Sequence, residues 1–393
     1  MLSTALLRIM SVCFINIVKR ENVKTILKAC LPLLLVAVAG GTGTAIADDD
    51  HSKRPFIDRD VDTFAVLPEG VKFPEGITAN PWNGDIYIGT FEGGAENKLL
   101  RFDRRGRLEA TRNFGITPLL GLEFDRINRK VYIANVGNFV GMPSMIQRIA
   151  ANFNGSTAIE DVAVIPLVNA PDPRTVGNPD GSSDTIFFGT GARVPNAMVL
   201  NRQGNVLYIS DSFQGAIFTI SNPATCNPCN IVMINHDPLL ATAGFPPFGA
   251  NGLALSHDEK TLFVANTGDD RVLKLDLTVP PLTPNSVSIF AESINGADGL
   301  AIDRRGRVWV VANQADEVLA LNEDGKIVAR LGEFRGIRGN GTPSGLLFPA
   351  SLVIVDDEIF VTNLALPLTG PAGDEPEEDV TRWTVSRLRM PRH

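Results

Sequence analysis

The chain alternates short apolar stretches with polar turns, and six of these stretches open in the same way. Each is followed by a turn and a second apolar run that ends in Asn, Asp or Thr. Apolar runs of this length, bounded by turn residues, predict buried strands. We call the first residue of each repeat its opener. The six openers are Glu75, Leu120, Asn196, Asn251, Asp298 and Ala350.

The spacing of the openers predicts the fold. Most openers lie about 45 to 55 residues apart, which is the length of a four-stranded propeller blade. The repeat that opens at Asn251 shows the unit, with strands expected over residues 252–255, 261–265 and 271–276. The last repeat lacks an outer strand, and residues 62–67 can supply it, which removes two exposed sheet edges. We therefore predict an all-β fold, a six-bladed β-propeller with an N-terminal strand closing the last blade.

Two segments interrupt the repeat. Residues 168–194 are rich in Pro, Gly, Asn and Asp and predict a long loop, and residues 364–379 form a second, acidic and Pro-rich insertion. Long loops in compact domains are usually functional or mobile.

The first 47 residues are predicted to be a secretory signal. Four basic residues between positions 19 and 28 precede the apolar run 31–39, and Ala45-Ile46-Ala47 offers a small-x-small cleavage site. The predicted domains are thus a signal peptide over 1–47, an N-terminal linker over 48–61 and the propeller over 62–393. This order predicts a periplasmic or secreted protein without stable membrane insertion after cleavage. An uncleaved anchor is the alternative.

The net charge and the cysteine content limit the classes of binding partner and metal site that the chain can have. Removing the five basic and one acidic residue of the leader changes the formal net charge from −8 to −12. An acidic surface argues against nucleic acid and against anionic membranes, and it fits an exported protein that tolerates divalent cations. The expected partner is a small-molecule substrate. Cys226 and Cys229 are the two cysteines outside the leader. Two cysteines cannot complete a tetrahedral zinc site, and a local disulfide is expected in an oxidising compartment.

Four of the six openers carry side-chain oxygens, namely Glu75, Asn196, Asn251 and Asp298. In a propeller the innermost strands surround the central channel, so openers that are distant in sequence become neighbours. Buried carboxylates and amides are costly unless they bind something. An all-oxygen donor set suits a hard cation, most simply Ca²⁺. Asp298 is the expected general base, because a ligand carboxylate can accept a proton from an adjacent water.

Three of the segments that contain an opener resemble motifs of the regucalcin and gluconolactonase family. They also resemble motifs of its relatives, the diisopropyl fluorophosphatases and paraoxonases. The motifs are Phe73-Pro-Glu75-Gly76, Ala250-Asn251-Gly252-Leu253 and Ala297-Asp298-Gly299-Leu300. The resemblance implies a six-bladed propeller with a divalent cation in its channel. It makes Glu75, Asn251 and Asp298 cation ligands, and the fluorophosphatase branch adds Asn196.

The resemblance also names two candidate substrate contacts. The gluconolactonase branch places an Arg two residues before the intermediate Asn, and here Arg193 lies three residues before Asn196. The paraoxonase branch uses histidines beside the metal, and His236, expected in a loop between blades, is the one histidine that could approach the site. The implied function is an exported, Ca²⁺-dependent hydrolase of lactones or related esters. The alternatives are a non-enzymatic binding propeller of the NHL type and, in third place, a lyase or synthase.

Overall fold

The computed structural model describes residues 54–138, 141–189, 192–369 and 373–391. Within these ranges the chain is all-β, with two short 3-10 helices, Asn313–Ala315 and Pro376–Asp379, and no α-helix. No helix in this part of the chain is both long and apolar enough to cross a bilayer. The chain divides after residue 54, and the following description applies to the compact unit Pro55–His393.

Six sheets of antiparallel strands repeat along the chain. Blade 1 contains β3 (Pro74–Ala79), β4 (Ile86–Thr90), β5 (Lys98–Phe102) and β6 (Leu108–Asn113). Blade 2 contains β7 (Leu119–Asp125), β8 (Lys130–Asn135), β9 (Met145–Ala150) and β10 (Glu160–Val164). Blade 3 contains β13 (Pro195–Leu200), β14 (Val206–Asp211), β15 (Ala216–Ser221) and β16 (Ile231–His236).

The second half of the chain continues the pattern. Blade 4 contains β17 (Ala250–Leu255), β18 (Thr261–Asn266), β19 (Arg271–Asp276) and β20 (Val287–Glu292). Blade 5 contains β21 (Ala297–Ile302), β22 (Val308–Ala312), β23 (Glu317–Leu321) and β24 (Ile327–Leu331). Blade 6 contains β27 (Pro349–Val355), β28 (Glu358–Asn363) and β29 (Thr384–Arg389).

The first strands of the blades form a closed ring. Around the ring they follow the order β3, β7, β13, β17, β21 and β27, and β27 in turn packs against β3. Each first strand is thus the innermost strand of its blade. This closure confirms the predicted six-bladed β-propeller.

Two N-terminal strands join blades that are built from the end of the chain. Strand β2 (Asp62–Val66) pairs antiparallel with β29 and is the outermost strand of blade 6. Strand β1 (Phe56–Asp58) pairs parallel with β24 and adds a fifth strand to blade 5. Residues 56–58 belong to the predicted linker 48–61. Their main chain therefore pairs with the propeller.

The glycines that follow several openers permit the innermost strands to approach closely. A Cβ on Gly76 would lie 2.0 Å from the carbonyl oxygen of Leu120, and one on Gly252 would lie 2.1 Å from that of Asp298. These distances are far below van der Waals contact, so the main chains of adjacent blades could not meet there if a side chain were present. The opener motif therefore has two parts. Its first residue can carry a donor atom, and the glycine that follows permits close packing of the blades.

The insertion over residues 168–194 is more regular than expected. Instead of an unbroken loop it contains a hairpin, β11 (Arg174–Gly177) paired with β12 (Ser183–Ile186). Two hydrogen bonds from main-chain N–H groups hold the insertion to its surroundings. The N–H of Val168 donates to Gln214 Oε1 (2.6 Å), and the N–H of Gly189 donates to the carbonyl of Thr242 (2.8 Å). A second hairpin, β25 (Phe334–Ile337) with β26 (Pro343–Gly345), precedes blade 6.

Cys226 and Cys229 form the local disulfide that the sequence predicts. It lies in the connection between β15 and β16, at the periphery of blade 3. The buried Arg148 side chain of blade 2 donates to the carbonyl of Cys226 (3.1 Å) and forms an ion pair with Glu160. The disulfide-bonded turn is therefore attached to the neighbouring blade.

Candidate metal and active site

The four oxygen-bearing openers occupy equivalent places in the ring. Glu75, Asn196, Asn251 and Asp298 are each the second residue of an innermost strand, in blades 1, 3, 4 and 5. All four are buried, with 3 to 5% of their surface exposed. Since equivalent positions of a closed ring face the same channel, the fold brings these side chains to one end of it.

Glu75 and Asp298 interact electrostatically although they belong to different blades. Burial raises the pKa of Glu75 well above its usual range, and the charge of Asp298 raises it further. Glu75 Oε2 is buried and has no hydrogen-bond partner. A carboxyl oxygen in this condition is the kind of atom that a cation would satisfy.

Two asparagine side chains influence the carboxyl group of Asp298. Burial raises its pKa to about 7, and side-chain hydrogen bonds from Asn313 and Asn251 act in the opposite direction. Asn313 Nδ2 donates to Asp298 Oδ2 at 3.1 Å. Asn251 of β17 also acts to lower the pKa of this carboxyl group. Side chains from β17 and from the residue that follows β22 therefore both influence Asp298 of β21.

The two amide openers have matching environments. Asn196 Nδ2 donates to Ser212 Oγ at 2.9 Å, and Asn251 Nδ2 donates to Thr267 Oγ1 at 2.9 Å. Each amide therefore has its nitrogen turned toward a hydroxyl. Its Oδ1, on the other branch, is directed away from that hydroxyl.

The remaining two openers are apolar and flank Glu75. Leu120 and Ala350 are 3% and 0% exposed, and their strands β7 and β27 pack against β3 on its two sides. Leu366, from the insertion of blade 6, packs against the apolar clusters that contain these two openers. This apolar surrounding explains why burial is the main cause of the raised pKa of Glu75.

The donor set fits a hard divalent cation. Two carboxyl groups match its charge, two amides can add neutral oxygens, and Glu75 Oε2 lacks any other partner. Among the described residues, no group of three or more His, Cys, Asp and Glu side chains could hold a metal. A cation bound by the openers would therefore need amide oxygens as ligands. Such a site differs from the His- and Cys-rich sites of zinc.

The two residues predicted to contact substrate each lie against a main-chain carbonyl group. Arg193 Nη1 donates to the carbonyl of Ile165 (3.2 Å). His236 was expected in a loop but is the last residue of β16, the outermost strand of blade 3, and its Nε2 lies 3.1 Å from the carbonyl oxygen of Gln214. The loop prediction was wrong because antiparallel pairing with Ala216 extends the strand to this residue.

Three residues near the donor set were not singled out from the sequence: Ser212, Thr267 and Asn313. Asn, Asp and Thr side chains at the end of a strand commonly bond to the following turn. Asn135, Asp211 and Asn266 do so, through bonds to the main-chain N–H groups of Gly137, Phe213 and Asp269. Asn313 has the same place in the repeat and instead donates to Asp298. A repeat pattern alone does not distinguish the two uses.

Fold and donor set define a six-bladed propeller with buried oxygen donors at one end of its channel. Residues 227–332, which span β16 to β24, match the family model described as the SMP-30/Gluconolactonase/LRE-like region. The chain is 22% identical over 279 residues to Lactonase drp35 of Staphylococcus saprophyticus, covering 65% of this chain and 74% of that protein. These matches confirm the resemblance to the regucalcin and gluconolactonase family.

Solved structures support the fold. The calcium-binding protein regucalcin from Agrobacterium tumefaciens str. C58 superimposes with a TM-score of 0.55 at 14% identity, covering 85% of this chain and 94% of that one. A luciferin-regenerating enzyme superimposes with a TM-score of 0.53 at 12% identity, covering 82% and 92%. At these identities the likeness concerns the arrangement of blades.

Proposed function

We propose that the protein is a hydrolase of lactones or related esters that uses a divalent cation, most simply Ca²⁺. The observation that supports this most directly is the grouping of Glu75, Asn251 and Asp298, with Glu75 Oε2 buried and unpartnered. The name of the Staphylococcus relative, a lactonase, supports the reaction class. The description of the Agrobacterium neighbour as calcium-binding supports the choice of ion.

The oxygen-bearing openers and the apolar openers have separate roles in the proposed hydrolysis. Glu75, Asn196, Asn251 and Asp298 would hold the cation, which supplies a Lewis acid that polarises the carbonyl oxygen of the ester. Two carboxylates balance its charge, and the neutral amides add ligands without further negative charge. The apolar Leu120 and Ala350 keep bulk water from the Glu75 side of the site, which strengthens electrostatic interactions there.

Asp298 is the proposed general base. Its Oδ2 is held by Asn313, which fixes the orientation of the carboxyl group. It would accept a proton from the attacking water as the carbon–oxygen bond forms. It would then return that proton to the ring oxygen as the lactone bond breaks, which leaves the hydroxy acid. Proton transfer of this kind contributes a rate factor of roughly 10² to 10⁴.

Export to the periplasm or the exterior is part of the proposal. The predicted signal over residues 1–47 lies outside the described residues. The disulfide between Cys226 and Cys229 supports export, because disulfides persist in oxidising compartments.

The alternative is a non-enzymatic propeller of the NHL type, in which polar residues at strand starts form turns. The turn hydrogen bonds are made by residues at the ends of second strands, including Asn135 and Asp211. The openers Asn196 and Asn251 instead bond to buried hydroxyls. This difference favours a cation-dependent function.

A lactone panel tests the proposal. Purified protein is assayed against sugar, aliphatic and aromatic lactones with added Ca²⁺, together with Asp298→Ala and a control, Asp316→Ala. Asp316 is also an acidic residue of blade 5 with a raised pKa, but its carboxyl group accepts from the main chain of Phe348. We expect Asp298→Ala to lower kcat/KM by at least about 10²-fold. Hydrolysis that is absent in wild type, or equal in Asp298→Ala, would contradict the proposal.

A further inference from the structure

The two asparagine openers share a feature that the other openers lack. In each blade one residue directly follows the Asn, Asp or Thr that ends the second apolar run of the repeat. In blades 3 and 4, the two blades that open with Asn, this residue is a hydroxyl, Ser212 and Thr267. In the other four blades it is Phe91, Val136, Gln314 and Leu364. Hydroxyl and amide therefore occur together.

Both hydroxyls make the same pair of hydrogen bonds. Thr267 Oγ1 donates to the carbonyl of Ala297 at 2.6 Å, and Ser212 Oγ donates to the carbonyl of Ala250 at 2.7 Å. Each carbonyl belongs to the residue before the opener of the next blade. Both hydroxyl residues are buried, with 0 to 1% of their surface exposed. Neither hydroxyl can rotate toward solvent to find a different acceptor.

The proton count then fixes the orientation of the amides. A hydroxyl has one proton, and a carbonyl oxygen can only accept, so the protons of Ser212 and Thr267 are committed to the main chain. The remaining contact, with the asparagine, must be one in which the hydroxyl accepts. The amide therefore has to present Nδ2 to the hydroxyl and Oδ1 on its opposite branch. A flipped amide would place two acceptors against each other.

We propose that Ser212 and Thr267 are positioning residues, which orient Asn196 and Asn251 so that amide oxygens rather than amide protons face a bound cation. This inference rests on the proposed cation site. Without the hydroxyl the amide can rotate and present N–H groups to the channel, where they would repel the ion. The bond to the next blade also fixes the distance between successive openers, since Ala250 and Ala297 immediately precede Asn251 and Asp298.

Blade 6 provides a matched control. Thr362 Oγ1 donates to the carbonyl of Glu75 at 2.7 Å, so it too bonds from a hydroxyl to the next blade's main chain, at the opener itself rather than at the residue before it. It is also fully buried. Its other hydrogen bonds join it to the main chain of Ser351, and among the described residues its hydroxyl bonds to no side-chain amide. Thr362→Val therefore removes an inter-blade bond without affecting an amide.

The experiment measures Ca²⁺ affinity by calorimetry and the melting temperature of the metal-free protein, for wild type and variants. We expect Thr267→Val and Ser212→Ala to weaken Ca²⁺ binding by about 10- to 100-fold, as loss of outer-shell partners does at other metal sites. Thr267→Ser should restore the affinity. Thr362→Val should lower the metal-free melting temperature with an affinity within about threefold of wild type.

Three results would overturn the inference. If Thr267→Val and Ser212→Ala bind Ca²⁺ as wild type does, with only a lower metal-free melting temperature, the hydroxyls are structural. If Thr362→Val weakens binding as much as Thr267→Val, inter-blade bonding rather than amide orientation is responsible. If wild type binds no divalent cation, the cation site of the proposed function fails, a result distinct from the other two. Should one variant not fold, the other decides.

Discussion

Glu75 in blade 1 and Asp298 in blade 5 are close enough that the charge of Asp298 raises the pKa of the Glu75 carboxyl group. The two residues are the second residues of β3 and β21, which are separated in the ring by β27 of blade 6. Two buried carboxyl groups so placed repel each other when both are ionised. A divalent cation between them would remove that repulsion, and several consequences can be measured.

The first prediction concerns Ca²⁺ and thermal stability. A ligand that binds only the folded state stabilises it, by about 2.7 kcal/mol at a concentration 100 times its Kd. We expect the melting temperature to rise on adding Ca²⁺ to chelator-treated protein, and Glu75→Gln to remove most of the rise. Glu123→Gln is the control, because Glu123 is also a carboxyl group with a raised pKa, yet it accepts from the main chain of Leu200. An equal rise in both variants would contradict the assignment of Glu75.

The second prediction concerns pH in the metal-free protein. The pKa of Asp298 is raised from 3.8 to about 7, and that of Glu75 is raised as well, so between about pH 4 and 7 the folded state binds more protons than the unfolded state. The free energy of unfolding therefore falls as pH rises through this range, for Asp298 by at most about 4 kcal/mol. We expect the metal-free melting temperature to drop between pH 5 and pH 8. The drop should be smaller in the double variant Glu75→Gln/Asp298→Asn and in wild type saturated with Ca²⁺.

The matched comparison for this effect is Glu123→Gln, which alters a carboxyl group with a raised pKa outside the donor set. The contribution of Glu123 to the pH dependence of the melting temperature should be the same with and without Ca²⁺. A pH dependence that Ca²⁺ leaves unchanged in wild type would show that Glu75 and Asp298 do not face the ion.

The sequence predicts the fold because the blade repeat is encoded by burial. Apolar runs and turn residues recur at blade length, and Gly76 and Gly252 mark the strands that must approach closely. The grouping of Glu75 with Asp298 follows from the ring, since openers become neighbours whatever their distance in sequence. Strand β1 could not be predicted in this way. Its Phe56 and Ile57 are 45% and 59% exposed, and main-chain bonds to β24 hold it in place.

The partners of the openers were less accessible to sequence analysis. Asn313 and Asn266 occupy equivalent places in the repeat, yet one donates to Asp298 and the other accepts from the following turn. The choice depends on side-chain rotation and on the carboxyl group of the same blade. For Ser212 and Thr267 a signal was present, because hydroxyls follow the second strand only in the blades that open with Asn. It becomes meaningful once the hydrogen bonds are known.

A third prediction tests the close approach of blades 4 and 5. A Cβ on Gly252 would lie 2.1 Å from the carbonyl oxygen of Asp298 and 2.8 Å from the N atom of Leu300. Both atoms belong to the main chain and cannot rotate away, so Gly252→Ala should destabilise the protein by at least about 1–3 kcal/mol. The displaced β21 should also weaken Ca²⁺ binding. Gly177→Ala, where a Cβ would meet nothing within 4 Å, is the control and should leave both quantities near wild type.

A fourth prediction separates the disulfide from the site. Cys226 and Cys229 close a loop of very few residues, so the loop-entropy model limits the loss of stability on reduction to about 2 kcal/mol. The disulfide lies at the outer side of blade 3, in the β15–β16 connection. We expect Cys226→Ser/Cys229→Ser to lower the melting temperature while the Ca²⁺ affinity stays at the wild-type value. A large loss of affinity would show that the turn communicates with the channel.

The rate of lactone hydrolysis by metal-free protein as Ca²⁺ is titrated in, with the best substrate of the panel, tests most directly whether the protein uses a catalytic cation. We expect a rate close to background without the ion and a rise in proportion to the fraction of protein that has bound it, with Asp298→Ala near background throughout. A rate that is the same with chelator as with saturating Ca²⁺ would contradict the proposal that Glu75, Asn196, Asn251 and Asp298 hold a catalytic cation.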